Sequence, residues 1–254
     1  MYPIALQIGS FAIRWYGVMA AVGFISAIFM MEYNRRFANL TKDQCSNLLF
    51  IALITGIAGA RIFYFIQFYD QFRGEEWRII RVDQGGLVFY GGFLLAFASI
   101  IIYSRKAHID PIRVLDVLSP AMALAHAFGR IGCFLNGCCF GRITHSFLGV
   151  TPPAGSVVEQ LSGPFPVYPV QLFEAGENII LAILYCYMLR HVKRGVVISC
   201  FLVFYGTLRF FNEMMRGDNV LFFHLTPAQW IGLLLVPAGL GLLFHFMRSD
   251  DKRI

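Results

Sequence analysis

The stretch GRIGCFLNGCCFGR, Gly129–Arg142, follows Ala125, His126, Ala127 and Phe128 and closes an apolar run that begins near Val114. It places two arginines, one asparagine, three cysteines and four glycines at the end of a segment long enough to cross a membrane. An arginine at the centre of a membrane helix costs about 2.5 to 3.5 kcal/mol on insertion scales, so it faces a polar cavity with a partner or a ligand. The stretch therefore reads as an intramembrane binding site, and the chain around it as one that lies in lipid.

Composition supports that reading. Of 254 residues, 57% are hydrophobic, 16% aromatic and 14% charged; the mean hydropathy is +0.63. These values lie well outside the globular average and define an integral membrane protein. The net charge of +6 does not point to nucleic acid, because the basic residues sit in short clusters between apolar runs, not along one polar face. Cys45, Cys133, Cys138, Cys139, Cys186 and Cys200 are scattered and do not form the even framework of a small secreted domain, so free thiols are expected. The N-terminal residues lack the basic region and cleavage site of a signal peptide, and the first apolar stretch is expected to remain as a helix.

A helix needs about 20 apolar residues to cross the hydrocarbon core. On that criterion seven spans are expected, near Trp15–Met31, Leu48–Phe68, Leu87–Tyr103, Val114–Asn136, Pro169–Leu189, Val196–Phe211 and Ala228–Phe246. The fold class is thus an all-α integral membrane protein, and residues 1–254 form a single polytopic domain. Arg35, Arg36 and Lys42, then Arg105, Lys106 and Arg113, then Arg190, Lys193 and Arg194, and finally Arg248, Lys252 and Arg253 fall in alternate connections and the C-terminus. By the positive-inside rule these face the cytoplasm, which puts the N-terminus outside and the C-terminus inside. Residues 143–168, with prolines at 152, 153, 164 and 166, read as a small extracytoplasmic loop or cap between the fourth and fifth spans.

The remaining basic residues are all arginines: Arg14, Arg61, Arg73, Arg78, Arg81, Arg130, Arg142, Arg209 and Arg216. Arg73, Arg78 and Arg81 share a loop with Asp70, Glu75, Glu76 and Asp83 and read as a solvated charge run. Arg61, Arg130 and Arg209 lie inside spans, where neither a charge run nor the orientation rule explains them. A planar, always-charged guanidinium suits phosphate, so arginines converging in a low-dielectric pocket would hold an anionic lipid headgroup. The competing reading pairs each with an internal carboxylate, for which Glu174, Glu177 and Glu213 are available. Two other function classes stay open: a non-enzymatic transporter or binding protein for an anionic lipid or solute, and a thiol redox enzyme built on Cys133, Cys138 and Cys139.

GRIGCFLNGCCFGR resembles the signature of the prolipoprotein diacylglyceryl transferases. Further segments match in the same order: Arg14-Trp15-Tyr16-Gly17, Gly59-Ala60-Arg61, Gly85 to Gly92, Tyr168 to Glu174, and Tyr205 to Phe210 with Glu213 and Arg216. The resemblance covers nearly the whole chain. It implies a multi-pass enzyme of the bacterial inner membrane that transfers a diacylglyceryl group from phosphatidylglycerol to the thiol of a preprolipoprotein lipobox cysteine, releasing glycerol phosphate. The same resemblance implies catalytic roles for Arg130, Arg209 and Tyr16; Tyr90, at the position of the family's base, is expected to orient substrate or relay a proton, and His126, one helical turn before Arg130, is an alternative base. Headgroup or substrate contacts are expected from Arg61, Asn136, Gly141, Arg142, Gln171, Glu174, Glu213 and Arg216.

No cofactor or metal is expected, since C-x4-C-C lacks the paired spacing of structural zinc sites, and a monomer suffices. The chain departs from the family pattern at three positions. Tyr90 stands where many members have histidine, Cys133 where they have asparagine, and Cys138 where they have an acidic residue. A phenol with a pKa of about 10 is a poor base near neutral pH. Asp116 also matches a family position and reads as structural.

Overall fold

The computed structural model describes residues 1, 3–9, 11–81, 86–216 and 223–248. Gly85 of the third matching segment, Asp83 of the charged loop, and Lys252 and Arg253 of the tail lie outside them. The described residues are dominated by α-helix, with a short antiparallel hairpin, β1 (Ile4–Ile8) and β2 (Phe11–Arg14), ahead of the first helix. That hairpin is an addition to the all-helical expectation.

Among the described residues eight α-helices follow: α1 (Trp15–Asn34), α2 (Lys42–Gln67), α3 (Phe89–Lys106), α4 (Pro111–Asn136), α5 (Val157–Ser162), α6 (Val170–Met188), α7 (Val196–Met215) and α8 (Pro227–Arg248). Among the described residues, α1, α2, α4, α7 and α8 are long and apolar enough to cross a membrane. Large apolar side chains on their outer faces, such as Phe29, Ile54 and Leu234, are exposed. That pattern suits lipid rather than water as the surrounding solvent.

Local chemistry fixes the helix starts. Thr41 and Gln44 form a reciprocal capping box ahead of α2: Gln44 N–H donates to Thr41 Oγ1 at 3.1 Å, and Thr41 N–H to Gln44 Oε1 at 2.9 Å. Thr226 and Gln229 repeat it at α8, with Pro227 in the tolerated first-turn position. The start of α7 is capped from a distance. Asp116, fully buried on α4, accepts the Gly195 and Ile198 N–H groups at 2.6 and 2.8 Å. A carboxylate there satisfies otherwise orphaned donors and complements the helix dipole, which gives Asp116 the structural role expected of it.

The chain falls into two compact units, Ala38–Val114 and the remainder (Met1–Phe37 with Leu115–Ile254). In the smaller unit, α2 and α3 cross where glycines face each other. A Cβ on Gly59 would meet Gly91 O at 2.5 Å, and one on Gly92 would meet Gly56 O at 2.7 Å. Small residues let helix backbones approach in lipid, where no hydrophobic effect drives them together. In the larger unit, Gly206 and Gly232 do the same for α7 and α8. Residues 143–168 form a small folded element there, with Val150 and Val167 exchanging backbone hydrogen bonds and α5 burying Val158 against Phe140 and Val167.

Candidate active site

α4, α6 and α7 bring one ionic group together in the larger unit. Glu174, 4% exposed on α6, accepts Arg209 Nη1 at 3.2 Å from α7, and its other oxygen pairs with Arg130 Nε from α4. Arg209 Nη2 also reaches Glu213 Oε2 at 2.8 Å, and Arg216 Nη1 lies 3.9 Å from the same atom. His126 stands one turn before Arg130; its Nε2 accepts from Arg130 Nε at 3.2 Å and lies 3.9 Å from Glu174.

The sequence left open whether these arginines pair with carboxylates or wait for an anion; in the structure they pair with carboxylates. Arg130, Arg209 and Arg216 share the two carboxylates of Glu174 and Glu213. A cleft beside this group is lined by His126, Glu174, Glu177, Asn178, Tyr205, Arg209 and Asn212, with Leu181 and Leu208. Buried charges held by shared partners are preorganised, and desolvation strengthens their pull on an incoming anion.

The end of α4 is turned into the site by a Schellman motif. Cys138 N–H donates to Cys133 O at 3.1 Å and Gly137 N–H to Phe134 O at 3.2 Å, with Gly137 in the left-handed region at φ 75°. Gln171, fully buried at the start of α6, donates to Cys138 O at 2.7 Å. Asn136 Nδ2 reaches Cys138 Sγ at 3.6 Å. The next residues are pinned by backbone: Gly141 N–H donates to Tyr168 O and Arg142 N–H to Met215 O, both at 2.9 Å. Arg142 Nε adds a bond to Arg216 O at 3.1 Å. A Cβ on Gly141 would sit 2.7 Å from that of Tyr168, so only glycine fits. Asn136, Gly141, Arg142 and Gln171 therefore build the turn that carries the site.

Tyr16 is half exposed, and its ring packs over Gly132 on α4. Tyr90 and Arg61 belong to the smaller unit. Tyr90 opens α3 and is 42% exposed. Arg61 is 5% exposed and donates to Ile79 O at 2.7 Å, Arg78 O at 2.7 Å and Gly86 O at 3.0 Å. Two of those acceptors lie at the end of the 3-10 turn Glu76–Ile80, and Arg78 O also accepts from Arg81 N–H at 3.0 Å. Expected among the headgroup contacts, Arg61 instead ties a loop to α2.

A match to the prolipoprotein diacylglyceryl transferase family covers residues 3–245. The chain belongs to that family. Relatives named phosphatidylglycerol--prolipoprotein diacylglyceryl transferase are similar over their full length. The Streptococcus uberis protein is 31% identical over 99% of this chain and 97% of its own. A Clostridium perfringens protein, whose name carries the suffix 1, is 32% identical over 100% and 98%. The Clostridium kluyveri protein is 30% identical over the whole of both chains.

Sequence reasoning missed two features of this transferase-family site. Asn212 donates to Glu177 Oε2 at 2.6 Å and Asn178 to Glu174 O at 2.7 Å, which fixes the cleft walls. Their signal was spacing: Asn178 follows Glu174 by one turn, and Asn212 follows Arg209 on a shared face. The other is the thiol cluster. Cys133, Cys138 and Cys139 hold their sulfurs within 4.8 Å of one another.

Proposed function

We propose that this chain transfers a diacylglyceryl group from phosphatidylglycerol to the lipobox cysteine of a prolipoprotein, the first step of bacterial lipoprotein maturation. Family membership over nearly the whole chain supports the reaction. The observation that carries the site is the convergence of Arg130 and Arg209 on Glu174. Phosphate offers these guanidinium groups the anionic oxygens that the glutamate now supplies, one to each arginine.

The acceptor sulfur attacks the glycerol carbon, its thiol proton passing to a base. The carbon–oxygen bond to phosphate breaks, and the electron pair leaves on glycerol phosphate. Arg130 and Arg209 stabilise charge building on the bridging oxygen, with Arg216 and Arg142 at the rim. Tyr16 hydrogen-bonds the headgroup. His126 holds Arg130 in place, and its imidazole is the candidate proton acceptor within the arginine group. Tyr90 orients the acceptor through its hydroxyl. Arg61 supports its own loop. The surrounding architecture has seven spans, with the N-terminus outside, the C-terminus cytoplasmic, and residues 143–168 as an extracytoplasmic cap in the inner membrane.

Purified protein given labelled phosphatidylglycerol and a lipobox peptide tests the reading. Thioether-linked diacylglyceryl peptide and free glycerol phosphate are expected in equal amounts; folded protein that yields neither would refute it. Complementation of a transferase-depleted bacterium by wild type, Tyr90→His and Tyr90→Phe tests the tyrosine, with loss only in Tyr90→Phe as the expected result.

A further inference from the structure

The thiol cluster is a product of how α4 ends. In a Schellman motif the sixth residue folds back over the first, a contact normally made by two apolar side chains. Here those residues are Cys138 and Cys133. Cys139 follows with φ 62°, a left-handed conformation uncommon for a non-glycine residue, and brings its sulfur to the same place. The linear spacing C-x4-C-C argued against a metal; the cap geometry removes that objection.

Three sulfurs around one zinc ion, with bonds of about 2.3 Å, lie roughly 3.8 to 4.0 Å apart. The sulfurs here are all within 4.8 Å, so side-chain rotation closes the difference without moving the backbone. Thiolate ligands select soft, closed-shell cations. Charge also fits: three thiolates and a divalent cation carry one negative charge, and the Arg130 and Arg216 guanidinium groups lie within electrostatic range of Cys139. The Asn136 amide donates to Cys138 Sγ, and ligands held by such outer partners bind metal more tightly.

We propose that Cys133, Cys138 and Cys139 bind a divalent cation of the zinc class through three thiolates, leaving a fourth position for the acceptor cysteine. Three protein ligands with one open position is the arrangement of reactive zinc sites, and a coordinating thiol is held deprotonated. The second half rests on the transferase reading. On binding, the acceptor thiol gives its proton to the base of the transferase reading. The metal-held sulfur supplies the electron pair of the new carbon–sulfur bond, while the carbon–oxygen bond to phosphate breaks and its pair departs with glycerol phosphate.

The experiment uses the full chain, purified under reductant without phosphatidylglycerol, and Cd2+ as the probe. Sulfur-to-cadmium charge-transfer absorption should saturate at one ion per chain with the intensity of three bonds. Cys133→Ser, Cys138→Ser and Cys139→Ser should each weaken binding by more than the ~10–100-fold that losing an outer partner costs, while Cys186→Ser leaves it unchanged. Adding a lipobox peptide should raise the intensity by roughly one third as a fourth thiolate joins; the peptide with serine for cysteine should not. A titration indifferent to all three substitutions overturns the site, and a cysteine peptide that adds no absorption overturns the open position. Neither readout needs turnover, so failure of the transferase reading would show separately, as absent product with the cadmium signal intact.

Discussion

Two arginines buried in apolar helices, Arg61 on α2 and Arg130 on α4, each follow a glycine or a glycine–alanine pair, and their surroundings are opposite in kind. Arg61 directs its guanidinium at three main-chain carbonyls and lies over the rings of Tyr64 and Phe72, each 5.5 Å away. Arg130 shares a buried glutamate with Arg209 and a nitrogen with His126. Carbonyls fixed in a turn cannot yield their place to a ligand. A glutamate can, because a phosphate offers the same charge and the same fork of oxygens. The partner of a membrane arginine, more than its burial, thus separates a structural brace from a binding group.

The largest effect should come from Arg130→Lys and Arg209→Lys. Lysine keeps the charge and loses the planar fork, so each should lower turnover by about 100- to 1000-fold, the range seen when one preorganised donor to a developing oxyanion is lost. Initial rates with labelled phosphatidylglycerol, measured beside thermal unfolding in the same detergent, check this. Full activity in both lysine variants would erase the distinction from Arg61. The double substitution should cost less than the sum of the two, since both side chains answer to Glu174.

Arg61→Met should have the reverse signature. It removes three hydrogen bonds to main-chain carbonyls at a net cost of about 1 kcal/mol each, roughly 3 kcal/mol in all, while turnover per folded molecule changes by less than about threefold. Denaturation midpoints and rates on one preparation separate the two quantities. A hundredfold rate loss at unchanged stability would return Arg61 to the headgroup.

Much of this contrast was legible in the sequence, but not the part that decides it. The apolar runs located the long helices with ends at most about six residues off, the start of α2 at Lys42 against Leu48 being the widest and that of α8 at Pro227 against Ala228 among the narrowest. Arg130, Arg209, Glu174 and Glu213 stood out as costly charges in apolar helices. What a linear reading lacks is the partner. Nothing in the spacing from Arg61 to Ile79 or Gly86 reveals that a turn returns its carbonyls to α2, whereas Glu213 and Arg209 are one helical turn apart. Local pairs can be read from period, and long-range pairs cannot. The thiol cluster sits between these cases: Cys133, Gly137 and Cys138 spell a helix cap, and the cap itself creates the contact. The β1–β2 hairpin was missed although Gly9-Ser10 between Ile8 and Phe11 is a two-residue turn signal, because Ile4–Arg14 borders a membrane helix and was read with it.

The smallest effect tests whether α4 carries its two charged residues for separate reasons. Asp116 lies 14 residues before Arg130, about 21 Å along an ideal helix. Its carboxylate caps α7 through Gly195 and Ile198. Asp116→Ala should therefore cost about 2 kcal/mol, the upper end for a lost helix cap, because two buried N–H groups lose their acceptor together. Asp116→Asn should cost less, since one amide oxygen can keep one of the two bonds. Neither should change turnover per folded molecule, because Arg209 sits several turns beyond the capped end of α7. If Asp116→Asn instead lowered the rate in step with Arg130→Lys, the cap and the clamp would be one coupled device, and the division between bracing and binding charges would fail within a single helix.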